Sequence, residues 1–308
     1  MNKIKHFALR MISRAEPGIR NTYRLQRAAA DIRAPHLMRG IYRLRDRKIR
    51  CGGHSVPVRV HEPKEFRSDQ VILFFHGGGW ATENIDTYHR ICESLADRLG
   101  RAVLSVDYRL APEHPFPAGL EDCYAAAEYL FRWAPFLGLR PEDIVLMGDS
   151  AGGNLAAAVS LMARNKKQFS VKKQILIYPA VSGDYSEDSA FLSVRENGED
   201  YILTSKRLQE YLQMYIRDPE DLKDPYVAPL RTEDLSGQPD TLIITAQYDP
   251  LRDEGEAYGE RLKAAGSRVR ILRIEDALHG FLSMPPRFSH VKQTYRAIED
   301  FLGGESHA

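Results

Sequence analysis

The chain has 308 residues, of which 43% are hydrophobic and 28% charged, and its formal net charge is +1. This is the composition of an ordinary globular protein, which excludes intrinsic disorder, collagen and coiled coils. The apolar runs are about as long as a buried strand and far short of the roughly 20 residues that cross a bilayer, so we expect no transmembrane helix.

The amino-terminal region is strongly basic: residues 1–50 hold 14 Lys and Arg against 3 Asp and Glu, and the remainder holds 29 against 39. A basic amphipathic helix is predicted there by Ile4, Phe7, Ala8, Met11 and Ile12. We favour packing of its apolar face over the rest of the chain, whose charge is complementary. Peripheral contact of residues 1–20 with an anionic lipid surface is the alternative. Arg10 interrupts the apolar stretch, which argues against a secretion signal and favours a cytoplasmic location.

The three cysteines are Cys51, Cys92 and Cys123. Their number is odd, and their spacing shows neither a CxxC pair nor a Cys/His metal pattern. We therefore interpret them as reduced packing residues and expect neither a disulfide framework nor a zinc site.

From residue 71 onward, short apolar runs alternate with stretches of helical periodicity. The runs predict strands at 71–75, 102–108, 143–149, 174–180, 241–246 and 268–274. The stretches predict helices at 87–99, 120–132, 151–164, 253–265 and 289–302. This alternation indicates an α/β fold with a mostly parallel sheet and helices on both faces. Ligands of such sheets bind at the carboxyl ends of the strands.

Two segments interrupt the alternation and are candidate lids, residues 1–45 and residues 183–222. The second contains a predicted helix that begins near Thr204 or Ser205. One face of that helix carries Leu208, Tyr211, Leu212 and Tyr215. Because no internal repeat or Pro/Gly/Ser-rich linker is present, we expect a single domain over 1–308 that includes both segments as cap elements.

The sequence Gly148-Asp149-Ser150-Ala151-Gly152 has the form G-x-S-x-G and lies between a predicted strand and a predicted helix. A nucleophile elbow needs that context, because the flanking glycines permit a sharp turn and keep β-carbons away from the serine. The helix that starts beneath Ser150 also favours negative charge nearby. An ordinary glycine-rich turn is the alternative interpretation.

A nucleophilic serine needs a base and an acid, which in this fold follow it in the order Ser, Asp or Glu, His. Asp249 follows the predicted strand at 241–246, and His279 follows the last predicted strand. We therefore choose these two as acid and base. Asp253 and Glu254 are rival acids, but they fall inside a predicted helix, where acidic residues serve the first turn.

The sequence His76-Gly77-Gly78-Gly79-Trp80 follows the first predicted strand. Successive glycines let backbone N–H groups face a substrate oxygen, and the N–H of Ala151 would complete an oxyanion hole. A phosphate-binding loop is the competing interpretation. It fails because no Lys-Ser or Lys-Thr follows and no G-x-G-x-x-G is present.

Together these motifs resemble those of the hormone-sensitive lipase family of α/β-hydrolases, the bacterial family IV esterases. The matching pieces, in the family's order, are HGGGW (76–80), DYRLAPEHPFPA (107–118), GDSAGGN (148–154), YPA (178–180), DPLRDEG (249–255) and HGF (279–281). The resemblance implies an α/β-hydrolase fold with a helical cap built from the amino-terminal segment and residues 183–222.

The resemblance also implies roles for individual residues. Ser150 would be the nucleophile, His279 the general base and acid, and Asp249 the residue that holds His279. The oxyanion N–H groups would come from Gly78, Gly79 and Ala151. The residues that would anchor loops beneath the site are Asp107, Arg109 and Glu113. His76 would support the oxyanion loop and would not be the base.

These roles predict a serine carboxylesterase that hydrolyses short- to medium-chain acyl esters through an acyl-enzyme. The partner would be a small-molecule ester; no cofactor, metal or nucleic acid is expected. Substrate choice would depend on the cap and on aromatic side chains, for which the candidates are Trp80, Tyr201, Tyr211, Tyr215 and Phe281. A homodimer through a terminal edge of the sheet is left open.

Two other functions stay open on the same residues. An amidase or deformylase would use the same serine, histidine and aspartate on a C–N bond. A non-catalytic binding protein would keep the fold without hydrolysis, as do the plant gibberellin receptors that this family resembles. The intact Ser150, Asp249 and His279 argue against that second function.

Overall fold

The computed structural model of the protein describes residues 18–33 and 45–303. The amphipathic helix predicted from Ile4 to Ile12 lies outside the described residues. Within them, no helix combines the length and the apolar character that crossing a membrane requires.

The centre of the fold is an eight-stranded sheet whose order is β1-β2-β4-β3-β5-β6-β7-β8. The strands are β1 (Asp46–Cys51), β2 (His54–His61), β3 (Val71–Phe75), β4 (Ala102–Val106), β5 (Ile144–Asp149), β6 (Lys173–Ile177), β7 (Asp240–Tyr248) and β8 (Val269–Leu278). From β4 to β8 all neighbouring strands are parallel, and β1 and β2 join the edge in antiparallel fashion. The predicted α/β fold with a mostly parallel sheet is confirmed.

Eight helices surround the sheet within the described residues. They are α1 (Ile19–Arg33), α2 (His89–Leu99), α3 (Ala118–Trp133), α4 (Ala151–Lys166), α5 (Leu192–Asn197), α6 (Ser205–Tyr215), α7 (Arg252–Ala264) and α8 (Ser289–Leu302). Short 3₁₀ turns lie at Ala134–Leu137, Pro141–Asp143, Pro219–Lys223, Pro229–Arg231 and Phe281–Ser283. The helices predicted between the strands all form, with ends within two residues of the predicted ones.

The core lies on both faces of the sheet because the strands are buried on both sides. Successive residues of β3 alternate between two apolar layers: Leu73 and Phe75 face the layer that contains α3 and α4. Ile72 and Phe74 face the layer that contains α2 and α8. This alternation follows from the two-residue period of a strand, and it explains why β3 reads as one continuous apolar run.

The hairpin of β1 and β2 is an addition to the strands predicted from the sequence. Its strands pair from Asp46 with Arg59 to Cys51 with His54, and Gly52 and Gly53 form the two-residue turn. A Gly-Gly pair between alternating residues is a hairpin signal. The many basic residues around this Gly-Gly pair make the hairpin signal hard to recognise in the sequence. Arg59 is buried, and its charge is satisfied by Asp46 and Asp86.

The two segments predicted as cap elements contact each other. Helix α6 begins at Ser205 as predicted, and the side chain of Thr204 caps it by accepting from the N–H of Arg207 at 3.2 Å. At the start of α1, the N–H of Ile19 donates to the carboxylate of Glu210 on α6. The described part of the first segment therefore packs against the second.

Candidate active site

Ser150 occupies a strained turn between β5 and α4. Its φ is 55° and its ψ is −119°, a backbone conformation that residues other than glycine rarely adopt. The turn is tight enough that a β-carbon at Gly152 would collide with the backbone carbonyl of Phe75. The N–H of Ser150 donates to the carbonyl of Ile177 at 2.9 Å, which ties the turn to the neighbouring strand. The geometry is that of a nucleophile elbow.

His279 lies between Ser150 and Asp249. Its Nδ1 donates to Asp249 Oδ2 at 2.7 Å, and its Nε2 lies 2.9 Å from Ser150 Oγ, where it accepts the hydroxyl proton. Asp249 is fully buried, and its Oδ1 accepts from the N–H of Leu251 at 2.9 Å. Three residues that are distant in the sequence thus form one hydrogen-bonded series at the carboxyl ends of β5, β7 and β8.

The two rival carboxylates have other partners. Asp253 accepts from the N–H of Ser193 at 2.8 Å and pairs with Arg252. Glu254 is fully buried and accepts from the N–H of Val181 at 2.6 Å and the hydroxyl of Ser182 at 2.5 Å. Burial raises the pKa of Glu254 to about 8. Both side chains therefore bind the segment that follows β6. The carboxylate that contacts His279 is that of Asp249.

The loop 76–80 lies beside Ser150, and two of its three glycines have positive φ angles: 102° at Gly78 and 58° at Gly79. A β-carbon at Gly79 would collide with the ring of Tyr211 on α6, so the loop packs directly beneath the cap. His76 Nδ1 donates to the carbonyl of Gly77 at 2.8 Å, and burial lowers the pKa of His76 to about 4. His76 is therefore neutral and supports the loop.

A cavity of about 530 Å³ lies over Ser150 and His279. This volume lies within the range of small-molecule sites. The loop 76–80 contributes Gly78, Gly79 and Trp80 to its lining, and Ala151 lines it beside Ser150. Helix α6 contributes Arg207, Leu208 and Tyr211, and the region of α2 contributes Tyr88, Arg90 and Ile91. The sequence indicated the lining residues of the glycine loop, Ala151, Leu208 and Tyr211 as candidates. It indicated none of the lining residues near α2.

The aromatic residues predicted near the substrate separate into two groups. Trp80, Tyr211 and Phe281 line the cavity. Tyr215 is buried and stacks on Trp80 with ring centroids 4.4 Å apart, and Tyr201 stacks on Tyr248 at 5.4 Å. Neither Tyr201 nor Tyr215 is among the lining residues. The helical periodicity identified the buried face of α6 but could not distinguish a residue that lines the cavity from one that packs beneath it.

Within the described parts of the chain, one group of residues brings possible metal-ligand atoms close to one another. Its members are Cys51, His54 and Asp122. Both oxygens of the Asp122 carboxylate accept hydrogen bonds from Arg109, whose Nε lies 2.9 Å from Oδ2 and whose Nη2 lies 2.9 Å from Oδ1. A cation there would have to displace a guanidinium group. This donor set therefore does not fit a metal ion.

The sequence and the fold resemble those of known proteins. The sequence model of a family described as alpha/beta hydrolase fold matches residues 72–283, which contain all the motifs from the glycine loop to His279. This chain belongs to the hormone-sensitive lipase family of α/β-hydrolases. The family resemblance read from the motifs is confirmed.

Three relatives of this hormone-sensitive lipase family member carry names that describe an activity. An arylesterase of Saccharolobus solfataricus is 38% identical over 242 residues, which is 78% of each chain. An arylacetamide deacetylase of Oryctolagus cuniculus is 32% identical over an alignment of 313 positions, gaps included, which covers 81% of this chain and 77% of that protein. A solved hyperthermophilic esterase from the archaeon Pyrobaculum calidifontis has a TM-score of 0.83 and 33% identity, covering 97% of this chain and 96% of that one.

Proposed function

We propose that this protein is a serine carboxylesterase that hydrolyses short- to medium-chain acyl esters. The observation that carries the proposal is the hydrogen-bonded series Asp249–His279–Ser150 on the wall of a cavity that the glycine loop also lines. Nucleophile, base, orienting acid and N–H donors are the parts that acyl transfer requires. The printed names of the arylesterase and esterase relatives support the same chemistry.

The reaction has two acyl-transfer steps. His279 Nε2 takes the proton of Ser150 Oγ as the oxygen attacks the ester carbonyl, and Asp249 stabilises the imidazolium that forms. The oxyanion of the tetrahedral intermediate faces the N–H groups of Gly78, Gly79 and Ala151. His279 then gives its proton to the departing alkoxide. Water repeats the sequence on the acyl-enzyme and releases the acid.

The cap would set substrate size. Leu203, Leu208 and Tyr211 close one side of the cavity above Ser150, and all three come from the segment 183–222. An apolar surface of this kind favours an acyl or alkyl chain over a charged group. Because the cavity is about 530 Å³, we propose chains of short to medium length. In this proposal the segments 1–45 and 183–222 act together as the cap of a single domain.

Amide hydrolysis is the second candidate, and one observation favours it. The relative from Oryctolagus cuniculus is named arylacetamide deacetylase. The same serine, histidine and oxyanion groups would act on a C–N bond. Paired phenyl acetate and acetanilide substrates, which differ only at the scissile bond, would distinguish the two candidates by their kcat/KM ratio. A homodimer, a cytoplasmic location and a lipid contact of residues 1–20 stay predictions.

The test is hydrolysis of p-nitrophenyl esters from acetyl to dodecanoyl by the wild-type protein and by Ser150→Ala, purified side by side. We expect turnover to be highest at short or medium chains, and the substitution to lower kcat by a factor on the order of 10⁶, because the three residues act as a unit. Circular dichroism of the variant checks that the fold is kept. Activity of the variant above a few per cent of wild type would contradict Ser150 as the nucleophile. Inactivity of both proteins on esters and amides would leave the binding-protein alternative.

A further inference from the structure

A second buried carboxylate, Asp149, lies on the wall of the cavity and takes no part in the steps above. It ends β5 directly before Ser150, and only 3% of its surface is exposed. Its Oδ1 accepts from the N–H of Gly77 at 2.9 Å. Its Oδ2 accepts from the hydroxyl of Tyr88 at 2.9 Å and from that of Tyr178 at 3.2 Å. Three donors around one carboxyl group suit its ionised form, which accepts only.

The three donors belong to three different parts of the site. Gly77 directly precedes the two glycines whose N–H groups would hold the oxyanion. Tyr88 precedes α2, and Tyr178 follows β6 with its ring centroid 4.6 Å from that of His279. A β-carbon at Gly77 would lie 2.8 Å from Asp149 Oδ2 and 2.8 Å from the Tyr88 hydroxyl, so the loop rests directly on this cluster. The carboxylate therefore links the oxyanion loop to the strand ends that carry Ser150 and His279.

The remaining bonds of the loop are made by its carbonyl groups. The carbonyl of His76 accepts from the hydroxyl of Tyr108 at 2.8 Å, and the carbonyl of Gly78 accepts from the N–H of Thr82 at 2.9 Å. The bond from Gly77 to Asp149 is the one that orients an N–H group at the start of the glycine run. Loss of that bond would let the following N–H groups turn away from the substrate oxygen.

We propose that Asp149 is a positioning residue for the oxyanion loop, and that turnover requires its carboxylate to be ionised. The inference rests on the proposed esterase function. An ionised acceptor makes a hydrogen bond about twice as strong as a neutral one. A proton on Asp149 would weaken the bond from Gly77, and it would also force one tyrosine hydroxyl to turn from donor to acceptor.

The charge of Asp149 changes within the working pH range of an enzyme. Burial raises its pKa to about 6, and hydrogen bonds from Tyr88, Tyr178 and Gly77, with the charge of His279, oppose that rise. The titratable groups that face it are Tyr88 before α2, Cys92 on α2, Tyr108 after β4, Tyr178 after β6, and His279 after β8. Burial raises the pKa values of the three tyrosines and of Cys92, so these groups stay neutral. Asp149 is therefore the carboxyl group of the cluster whose raised pKa lies in this range.

The sign of the pH effect follows from this arrangement. As the pH falls through about 6, Asp149 binds a proton and the oxyanion loop loses its charged support. His279 must also be free of its proton to act as base. The proton on Asp149 therefore adds to whatever else suppresses the wild-type reaction at low pH, and it makes the acid limb of log kcat/KM against pH steeper. A variant that cannot ionise at position 149 should have an acid limb whose slope is lower by about one.

The experiment compares wild-type protein with Asp149→Asn on p-nitrophenyl acetate from about pH 4.5 to pH 8, with return to pH 7 to verify that activity recovers. Asparagine keeps an oxygen for the N–H of Gly77 but has no charge. We expect kcat of the variant at pH 7 to fall about 10- to 100-fold with KM changed less than about threefold, since only the transition state loses stabilisation. The slope of the acid limb should fall by about one. An unchanged slope, or a kcat within about twofold of wild type, would overturn the proposal.

Two further variants complete the test. Asp107→Asn is the matched control, because burial also raises the pKa of Asp107 to about 6, yet this carboxyl faces Asp46, Arg59 and Asp86 and does not line the cavity. It should keep the wild-type slope. A slope lowered as much as in Asp149→Asn would mean that the limb reports a general loosening of the fold in acid, and it would overturn the proposal. Tyr88→Phe removes a donor that lowers the pKa of Asp149, so the acid limb of this variant should move to higher pH. A limb at the wild-type position would contradict the proposal. Inactive wild-type protein would instead contradict the esterase function itself.

Discussion

The strand-end loops and the cap are held by different kinds of contact. At and beside the strand ends, the carboxyl groups of Asp149, Asp249 and Glu254 are buried and accept hydrogen bonds from backbone N–H groups. In the cap, the hydrogen bond from Arg20 to Gln213 and the ion pair of Arg27 with Glu113 are exposed to solvent. The first arrangement restricts movement, because a buried group that shifts loses its partner. The second permits change in sequence and in position.

The energetic scale of the two regions differs accordingly. Removal of one partner from a buried hydrogen bond leaves the other unsatisfied, at a cost of about 1–3 kcal/mol, and more where the group is charged. An exposed ion pair contributes about 0.2–1 kcal/mol. We therefore expect substitutions of the buried groups near the strand ends to have larger effects than substitutions of exposed side chains on α1 and α6. The predictions below test this contrast, from the largest effect to the smallest.

The sharpest test compares Asp249→Asn with Glu254→Gln, two equivalent changes to buried carboxyl groups. Asp249→Asn should lower kcat about 10⁴-fold, because the amide favours the wrong tautomer of His279. Glu254→Gln should change kcat by less than about fivefold, since Glu254 contacts Val181 and Ser182 and not the histidine. Steady-state rates on p-nitrophenyl acetate measure both. The reverse order would make Glu254 the acid and contradict the assignment.

The connection of α1 to the oxyanion loop is the next test. Arg27 Nε donates to the carbonyl of Ala81, which follows that loop, and its Nη2 donates to the carbonyl of Ala111, both at 2.7 Å. Arg27→Ala should lower the free energy of unfolding by about 1.5–3 kcal/mol, the usual contribution of hydrogen bonds from a charged donor. Urea unfolding measures it.

Arg20→Ala is the control for that variant. Arg20 lies on the same helix and contacts Gln213 at 3.1 Å on the surface, so its loss should change the free energy of unfolding by less than about 0.5 kcal/mol. Equal effects of the two substitutions would show that Arg27 is one more surface side chain. Both arginine contacts of α1 would then belong with the exposed contacts of the cap and not with the buried groups near the strand ends.

The last prediction concerns the pH dependence of stability. Burial raises the pKa of Glu254 to about 8, so the native protein binds this proton more tightly than the unfolded chain. That contribution is complete at low pH, declines as the pH rises above the unfolded value, and is lost above about 8. One such group changes the free energy of unfolding by at most about 1.4 kcal/mol per pH unit. Between pH 6 and 8, Glu254→Gln should show a shallower decline than wild type; parallel curves would contradict it.

The sequence predicted the strand–helix alternation well because the spacing of apolar residues and the positions of turn and capping residues are local properties. The six strands predicted from residue 71 onward all form, and Thr204 caps α6 where the helix was expected to begin. The end of β6 was less clear: the apolar run continues to Ala180, but the strand ends at Ile177 and Tyr178 has a φ of 36°. The loss of strand conformation there brings the Tyr178 hydroxyl to Asp149.

The parts that sequence reasoning missed depend on contacts across the fold. Asp149 lay inside a recognised motif, but its role needs Gly77, Tyr88 and Tyr178, which come from three other elements. Helical periodicity placed Tyr211 and Tyr215 on one face of α6, although one lines the cavity and the other stacks under Trp80. Such distinctions follow from where helices dock, and no local pattern encodes that position.

The stack of Trp80 on Tyr215 gives the molecule an optical property. The chain has two tryptophans, Trp80 and Trp133; Trp80 is 3% exposed and lies at the junction of the oxyanion loop with α6, whereas Trp133 is 41% exposed on α3. The two rings of the stack are 8° from parallel. With phenylalanine in place of Trp133, the remaining indole emission would come from the junction alone. The protein thus contains a natural fluorophore at the boundary between its reaction centre and its cap.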